Sequence, residues 1–157
     1  DLRNNPGGSL DECTKIADEL LGEQTIVYTK DREGRKEIIT SDAAKIDYPL
    51  VLLVNGGSAS ASEILTGAVQ DTKSGTIIGT TTFGKGLVQA VRQLSDGTGF
   101  KMTISQYFTP NGTYIHGKGI EPDIVIEMPK ELENKDEITD EEDPQMQKAI
   151  NVIKEKM

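Results

Sequence analysis

The sequence contains little material for covalent cross-links or for a large aromatic core. Its 157 residues include one cysteine, Cys13, no tryptophan and only 4% aromatic residues. A single cysteine excludes an internal disulfide framework, and Cys13 is predicted to be buried because it lies at an apolar position of a helical pattern. The sequence has no apolar run long enough to span a bilayer and no recognisable signal peptide. A chain of this length is predicted to form one domain.

The net charge of −9 is concentrated in one segment of the chain. Residues 130–143 contain eight acidic residues and two lysines, so the remainder of the sequence is only mildly acidic. Such a composition is typical of a solvated linker, and we predict an acidic linker over residues 130–143. Because no basic face is evident, nucleic acid is not expected to be a partner.

Hydrophobic periodicity predicts an α/β protein. A capping-box pattern at residues 9–12, followed by apolar residues at helical spacing, predicts a helix that ends at Gly22. The continuous apolar run at residues 48–54 is typical of a strand buried on both faces, and therefore of a parallel sheet covered by helices. A second helix is predicted from about Ser60, and an amphipathic helix over residues 144–157. Further strands are predicted at residues 25–30, 37–40, 76–78, 87–94, 101–107 and 124–126.

Ser60 is the first candidate for chemistry. The sequence from Val54 to Ile64 describes a strand, a glycine break and a serine at the start of a helix. The first amides of a helix have no intrahelical acceptor and can hold an anion. This arrangement suits acyl transfer, in which negative charge develops on a carbonyl oxygen. Serine is also a favoured helix cap, and Ser58, Ser60 and Ser62 are equally consistent with capping and filling.

A nucleophilic serine requires a base, and the sequence offers two candidates. His116 is the only histidine, but it lies in a glycine-rich stretch in which no neighbouring residue would orient it. Lys85 is flanked by Gly84 and Gly86, which allow close backbone packing, and an amine can act as a base when it is neutral. An ordinary lysine has a pKa of about 10.4, so a shift towards 7 costs roughly 4–5 kcal/mol, which burial can supply. Most lysines are solvated, so on these grounds alone the structural interpretation of Lys85 leads.

Residues 79–85 also match the first seven positions of a phosphate-binding P-loop. The next position of that motif carries serine or threonine to reach magnesium, whereas here it is Gly86. A P-loop should also open a helix, and residues 87–91 have the pattern of a strand. These two departures exclude a nucleotide-binding P-loop.

Five motifs occur in order along the chain. They are Asp-Leu-Arg-Asn-Asn-Pro-Gly-Gly at residues 1–8, Ser-Ala-Ser-Ala-Ser-Glu at 58–63, Thr-Phe-Gly-Lys-Gly at 82–86 with Gln89, Tyr-Phe-Thr-Pro-Asn-Gly at 107–112, and Gly-Ile-Glu-Pro-Asp at 119–123. In this order they resemble the C-terminal processing peptidases, also called tail-specific proteases. The resemblance covers residues 1–125 approximately, and five ordered motifs are far more specific than any one of them.

The resemblance implies a serine endopeptidase on a crotonase-like (ClpP-like) α/β fold, with a mixed sheet flanked by helices. It implies Ser60 as the nucleophile, Lys85 as the general base and Gln89 as the residue that orients the lysine. An even offset of four would place Lys85 and Gln89 on the same face of a strand. The family's reaction passes through an acyl-enzyme and requires no metal or organic cofactor.

The same resemblance implies where the oxyanion is held and what is cleaved. The donors implied are the amide of Ala61 and that of Gly7 or Gly8, in the first motif. Family members cleave protein or peptide chains near their C-termini, usually outside the cytoplasm. We therefore expect an extracytoplasmic protein (periplasmic, cell-envelope or secreted), membrane-anchored or exported at full length.

The resemblance also bears on domain organisation. We predict a protease core over residues 1–129, then the acidic linker and the C-terminal helix. Family members usually carry a PDZ domain before this core, and because the chain opens at Asp1 within a motif, we interpret it as a piece from which that partner domain is missing. Little or no activity is expected from the piece alone. Two alternatives stay open: a non-catalytic ligand- or peptide-binding module on the same fold, and a homo-oligomer in which the final helix packs on another subunit.

Overall fold

The computed structural model describes residues 1–133, 135 and 137–157. Its helices are α1 (Leu10–Leu21), α2 (Ala61–Asp71), α3 (Lys130–Glu133) and α4 (Pro144–Lys156). Its strands are β1 (Thr25–Asp31), β2 (Lys36–Thr40), β3 (Val51–Val54), β4 (Thr76–Gly79), β5 (Leu87–Gln93), β6 (Gly99–Phe108) and β7 (Ile124–Val125). The predicted α/β class is confirmed. Within the described ranges, no helix combines the length and apolarity needed to cross a membrane.

The strands form two sheets, which corrects the single mixed sheet that the resemblance implied. Strands β3, β4 and β7 pair in parallel, in that order. Strands β2, β1, β6 and β5 pair antiparallel, in that order. Residues 80–86, between β4 and β5, form no ladder. The chain therefore leaves the parallel sheet along this irregular segment and enters the antiparallel hairpin of β5 and β6.

The parallel sheet is covered on both faces, as its apolar run predicted. Successive side chains of a strand point to opposite faces, and β3 illustrates this. Leu52 and Val54 belong to a buried cluster with α1 and α2. Leu53 belongs to a second buried cluster, with Ala149 and Val152 of α4. The continuous hydrophobic character of β3 thus serves two separate cores.

Helix α2 lies at the centre of the fold, and its C-terminal end is fixed by two of the five motifs. The first nine residues of α2 are all buried. Asp123 accepts hydrogen bonds from the Gln70 side chain (3.0 Å) and from the amide of Ile77 in β4 (2.8 Å). Asp71 accepts one from the Asn111 amide (2.8 Å). These motif residues therefore anchor α2, and hence the residues at its N-terminus, in the sheet framework.

The predicted C-terminal helix is confirmed, and it packs on its own domain. Asp143 caps α4 by accepting hydrogen bonds from the amides of Gln145 (2.9 Å) and Met146 (3.0 Å). The preceding acidic segment includes α3, and Lys135 forms an ion pair with Glu142 (2.6 Å). The linker prediction also covers Asn134 and Asp136, which lie outside the described residues. The domain boundaries at residues 129 and 143 stay predictions.

Cys13 is buried, as predicted, at 6% exposure in the core between α1 and α2. Burial raises the pKa of its thiol to about 11. The folded state therefore disfavours the thiolate, and the contribution of this thiol to stability is complete below about pH 9 and decreases as the pH rises towards 11.

We expect iodoacetamide at pH 8 to alkylate Cys13 at least about tenfold more slowly in the folded protein than in denaturant, because only the thiolate reacts and burial raises the pKa of this thiol from 9.0 to about 11. Mass spectrometry of quenched time points gives both rates. Equal rates in the two states would contradict this assignment.

Candidate active site

Ser60 lies where the loop after β3 enters the first turn of α2. It occupies the N-cap position, but with φ 57° and ψ −115°. Helix caps normally have an extended backbone, as Ser9 (φ −66°, ψ 132°) does at the start of α1. A non-glycine residue in such a region costs on the order of 1–3 kcal/mol, and residues of this kind cluster at functional sites. The sharp turn at Ser60 therefore distinguishes it from an ordinary cap.

The serines on either side of Ser60 have structural partners. Ser58 is buried and donates a hydrogen bond to the carbonyl of Leu2 (2.7 Å). Ser62 is also buried and donates to the carbonyl of Asn5 (3.0 Å). Ser60 is partly exposed. A purely structural role, which the sequence left open for all three serines, thus fits Ser58 and Ser62.

The glycine turn of the first motif packs directly against the main chain at Ser60. Gly7 has φ +88°, and a Cβ added to it would lie 2.7 Å from the amide nitrogen of Ala61. The Gly7 amide donates to the side chain of Asn5 (2.9 Å). Among the described residues, the amides of Ala61 and Gly8 donate no hydrogen bond. Both amides thus have no protein acceptor within the part of the chain that the structure describes, and the first amides of a helix can hold an anion.

A small groove opens beside these two amides. Its volume is about 200 Å³. It lies between α1 and α2, and its apolar lining residues are Leu2, Cys13, Ile16, Ala61 and Leu65. Gly7 and Gly8 form part of its edge. A groove of this size and lining suits a single apolar side chain.

The Glu63 carboxylate joins the turn at Ser60 to the segment that carries Lys85. Glu63 is fully buried, with 0% exposure. Its Oε2 atom accepts hydrogen bonds from the amides of Ser60 (2.9 Å) and Lys85 (2.8 Å). Its Oε1 atom accepts hydrogen bonds from the Thr82 hydroxyl (2.6 Å) and the Gly84 amide (2.7 Å). One side chain thus fixes the backbone of both sequence-predicted catalytic residues.

The segment that carries Lys85 is held by close backbone contacts. Gly84 has φ +90°, and a Cβ there would lie 2.9 Å from the amide nitrogen of Gly119. A Cβ on Gly86 would lie 2.8 Å from the amide nitrogen of His116. Both glycines are buried, and Lys85 between them is partly buried. The expectation that the flanking glycines allow close packing is confirmed.

His116 contributes its backbone to this packing, and its imidazole ring lies 6.0 Å from the ring of Tyr114. The residue is exposed. Its position next to Gly86 gives it a packing role in the lysine segment.

The sequence argument that related Lys85 to Gln89 assumed that both residues lie on one strand. Lys85 precedes β5, which begins at Leu87, so the alternation of a strand does not relate the two side chains. Gln89 is exposed. Across residues 1–133, 135 and 137–157, no hydrogen bond joins the side chains of Ser60, Lys85 and Gln89, whose roles remain predictions.

Sequence reasoning missed Glu63, Thr82 and Asn5 as parts of the site. Thr82 donates to Glu63 and accepts from the amide of Ile120 (2.8 Å). Glu63 had a local signal, because a serine followed three residues later by glutamate is a capping-box pattern. Thr82 had no such signal, since its partners are distant in the sequence. Asn5 has one local partner, the amide of Gly7, and two distant ones, Ala59 and Ser62.

Comparison with known proteins identifies the family of this chain. The sequence model of peptidase family S41 matches residues 1–126. The chain belongs to peptidase family S41. The resemblance to the C-terminal processing peptidases is thereby confirmed, and the family consists of serine-type peptidases.

Individual S41 relatives give the same result. The carboxyl-terminal-processing protease of Synechocystis sp. is 50% identical over 154 residues, which cover 98% of this chain and 36% of that protein. The carboxy-terminal-processing protease of Bartonella bacilliformis is 47% identical over 133 residues, covering 82% of this chain and 30% of that protein. This S41 chain therefore spans about a third of the length of these relatives.

Solved structures of similar fold include the photosystem II D1 C-terminal processing protease. Its TM-score is 0.76 at 43% identity, over 80% of this chain and 33% of that chain. A lipoprotein from Streptococcus agalactiae has a TM-score of 0.77 at 20% identity, over 99% of this chain and 53% of that chain, which shows likeness of fold alone.

Proposed function

We propose that this chain is the catalytic core of a serine endopeptidase that uses Ser60 as nucleophile and Lys85 as general base. The observation that carries the proposal is the Glu63 carboxylate, which hydrogen-bonds the amides of both residues. A reaction that transfers a proton between two side chains requires their backbones to be held together. The strained backbone at Ser60 supports the same assignment.

In the proposed reaction, neutral Lys85 takes the hydroxyl proton of Ser60 as the serine oxygen attacks a peptide carbonyl. The amides of Ala61 and Gly8 stabilise the resulting oxyanion. The protonated lysine then gives its proton to the leaving amine, and an acyl-enzyme on Ser60 remains. Lys85 next activates a water molecule, which releases the carboxylic acid product and restores the serine.

Two further residues have proposed supporting roles. Gln89 orients Lys85, which requires a rearrangement of the exposed Gln89 side chain when substrate binds. Gly7 supports the oxyanion site by its close approach to Ala61, since its own amide is already used by Asn5. Because Gly7 is occupied, Gly8 is the better of the two donors that the sequence left open.

The proposed substrates are protein or peptide chains cleaved near their C-termini, in keeping with the names of the relatives. The groove beside Ala61 is proposed to take an apolar side chain next to the cleaved bond. We further propose the crotonase-like (ClpP-like) fold, an extracytoplasmic location and a PDZ domain as the partner that presents substrate.

Active-site labelling of the whole protein tests the proposal. A fluorophosphonate or a peptidyl boronate is expected to modify Ser60, with mass mapping to locate the adduct. We expect Lys85→Ala to lose the adduct, because the serine then has no base. Lys73→Ala, at an exposed surface lysine, serves as the matched control and should label like the wild type. Absence of labelling in the whole protein would favour the non-catalytic binding module.

A further inference from the structure

A short segment, residues 2–5, connects the nucleophile loop with helix α4. On one side, the Leu2 carbonyl accepts from Ser58 (2.7 Å), and the Asn5 carbonyl accepts from the amide of Ala59 (3.0 Å). Asn4 donates its amide to the side chain of Asn55 (2.9 Å). The segment thus lies against the loop that leads to Ser60, and it continues directly into the glycine turn at Gly7 and Gly8.

On the other side, the Arg3 side chain extends to the N-terminus of α4. Its Nη1 atom contacts Asp143 (2.6 Å) and the side-chain oxygen of Gln145 (2.9 Å). Its Nη2 atom contacts Asp1 (2.6 Å). The side chains of Arg3 and Asp143 are 16% and 8% exposed, and Gln145 is 1% exposed. The ion pair between Arg3 and Asp143 is therefore well shielded from water.

Each of the α4 partners has a second attachment to the domain. Asp143 uses Oδ2 for Arg3 and Oδ1 for the amides that it caps at the start of α4. Gln145 donates to the carbonyl of Ile126 (2.6 Å), just after β7. The guanidinium thus contacts a fixed structure built from a helix terminus and a strand end, and a planar guanidinium loses little freedom in such contacts.

We propose that Arg3 and Asp143 form a positioning pair that holds the glycine turn in place. The pair thereby fixes the position of the Gly8 amide, the proposed oxyanion donor, relative to the Ala61 amide. This inference rests on the proposed function of that turn. Only three residues lie between Arg3 and Gly7, and Gly7 lies against the Ala61 amide. A displacement of about 1 Å at a catalytic group can reduce the rate about a hundredfold. Helix α4, remote from the chemistry in sequence, thereby acts on the oxyanion site.

The test uses the whole protein and variants that separate the ion pair from the helix cap. Asp143→Asn removes the charge but retains a good N-cap residue. Arg3→Gln removes the guanidinium, Arg3→Lys retains the charge, and the double variant Arg3→Gln/Asp143→Asn completes a cycle. Arg35→Gln is the matched control, because it breaks an exposed ion pair with Asp31. Peptide cleavage (kcat and KM) and hydrogen exchange of residues 2–8 are measured well below the unfolding temperature.

We expect Arg3→Gln and Asp143→Asn each to lower kcat about 10- to 100-fold, with KM within threefold of wild type. The double variant should be no worse than the worse single variant, Arg3→Lys should recover part of kcat, and Arg35→Gln should match the wild type. Exchange of residues 2–8 should become faster in both single variants.

Three results would overturn the pair: unchanged kcat with only a lower unfolding temperature, an increase confined to KM, or losses that add in the double variant. If the wild type and Ser60→Ala do not differ in cleavage, the proposed function fails. Hydrogen exchange of residues 2–8 then tests alone whether Arg3 and Asp143 position this segment. Exchange that accelerates only within residues 144–156 would reject it.

Discussion

Replacing Ser60 by alanine is expected to lower kcat for peptide cleavage by at least about 10⁴-fold, because the proposed reaction loses its nucleophile. Replacing it by glycine should abolish cleavage equally and also make the protein more stable than the alanine variant. Ser60 has φ 57°, a conformation that glycine adopts without strain and that alanine does not. We expect a difference of about 1 kcal/mol in the free energy of unfolding, since relieved strain exceeds the extra chain entropy of glycine.

Denaturant titration of the two variants measures this difference. Ser9 provides the matched control, because it caps α1 with an extended backbone (φ −66°). Ser9→Gly is expected to be slightly destabilising, by a few tenths of a kcal/mol. If Ser60→Gly proves less stable than Ser60→Ala, the strain assigned to the turn is wrong. Retained cleavage in either variant would remove Ser60 from the mechanism.

Replacing Glu63 by glutamine is expected to destabilise the protein by about 3 kcal/mol, despite the near-identical shape. Four donors point at the carboxylate, two at each oxygen. A glutamine side chain has one acceptor oxygen, and its amino group would face two of these donors. A buried donor left without a partner costs about 1–3 kcal/mol. The same change should lower kcat at least tenfold, because the Lys85 segment loses its attachment to the Ser60 turn.

Chemical denaturation and steady-state cleavage measure the two effects on Glu63→Gln. Glu19→Gln, at an exposed position of α1, is the matched control, and its stability should lie within about 0.5 kcal/mol of wild type. Wild-type stability in Glu63→Gln would show that the donors have other partners. Lower stability with unchanged kcat would limit Glu63 to a structural role.

The elements that local patterns specify were predictable. The capping box at residues 9–12 gave the start of α1, where Ser9 accepts from the amide of Glu12. The buried strand β3 followed from its continuous apolar run, and the start of α4 followed from Asp143 and Pro144. These features depend on neighbours within a few residues, so periodicity and capping preferences suffice to predict them.

The division into two sheets was not predictable in the same way. It depends on residues 80–86 leaving the parallel sheet before the chain enters the β5–β6 hairpin. Strand pairing is decided by contacts distant in the sequence, which local patterns do not encode. Lys85 belongs to this irregular segment and not to β5, so the alternation of a strand did not extend to it.

By itself, the sequence determined the family and the candidate residues, since five motifs in order identify Ser60 and Lys85 without any coordinates. Only the tertiary structure decided how these residues are held. Glu63 lies 22 positions from Lys85, and Arg3 lies 140 positions from Asp143. A buried carboxylate or guanidinium takes whichever donors or acceptors the packed chain brings within about 3 Å. No local pattern encodes those partners, because folding alone brings them together.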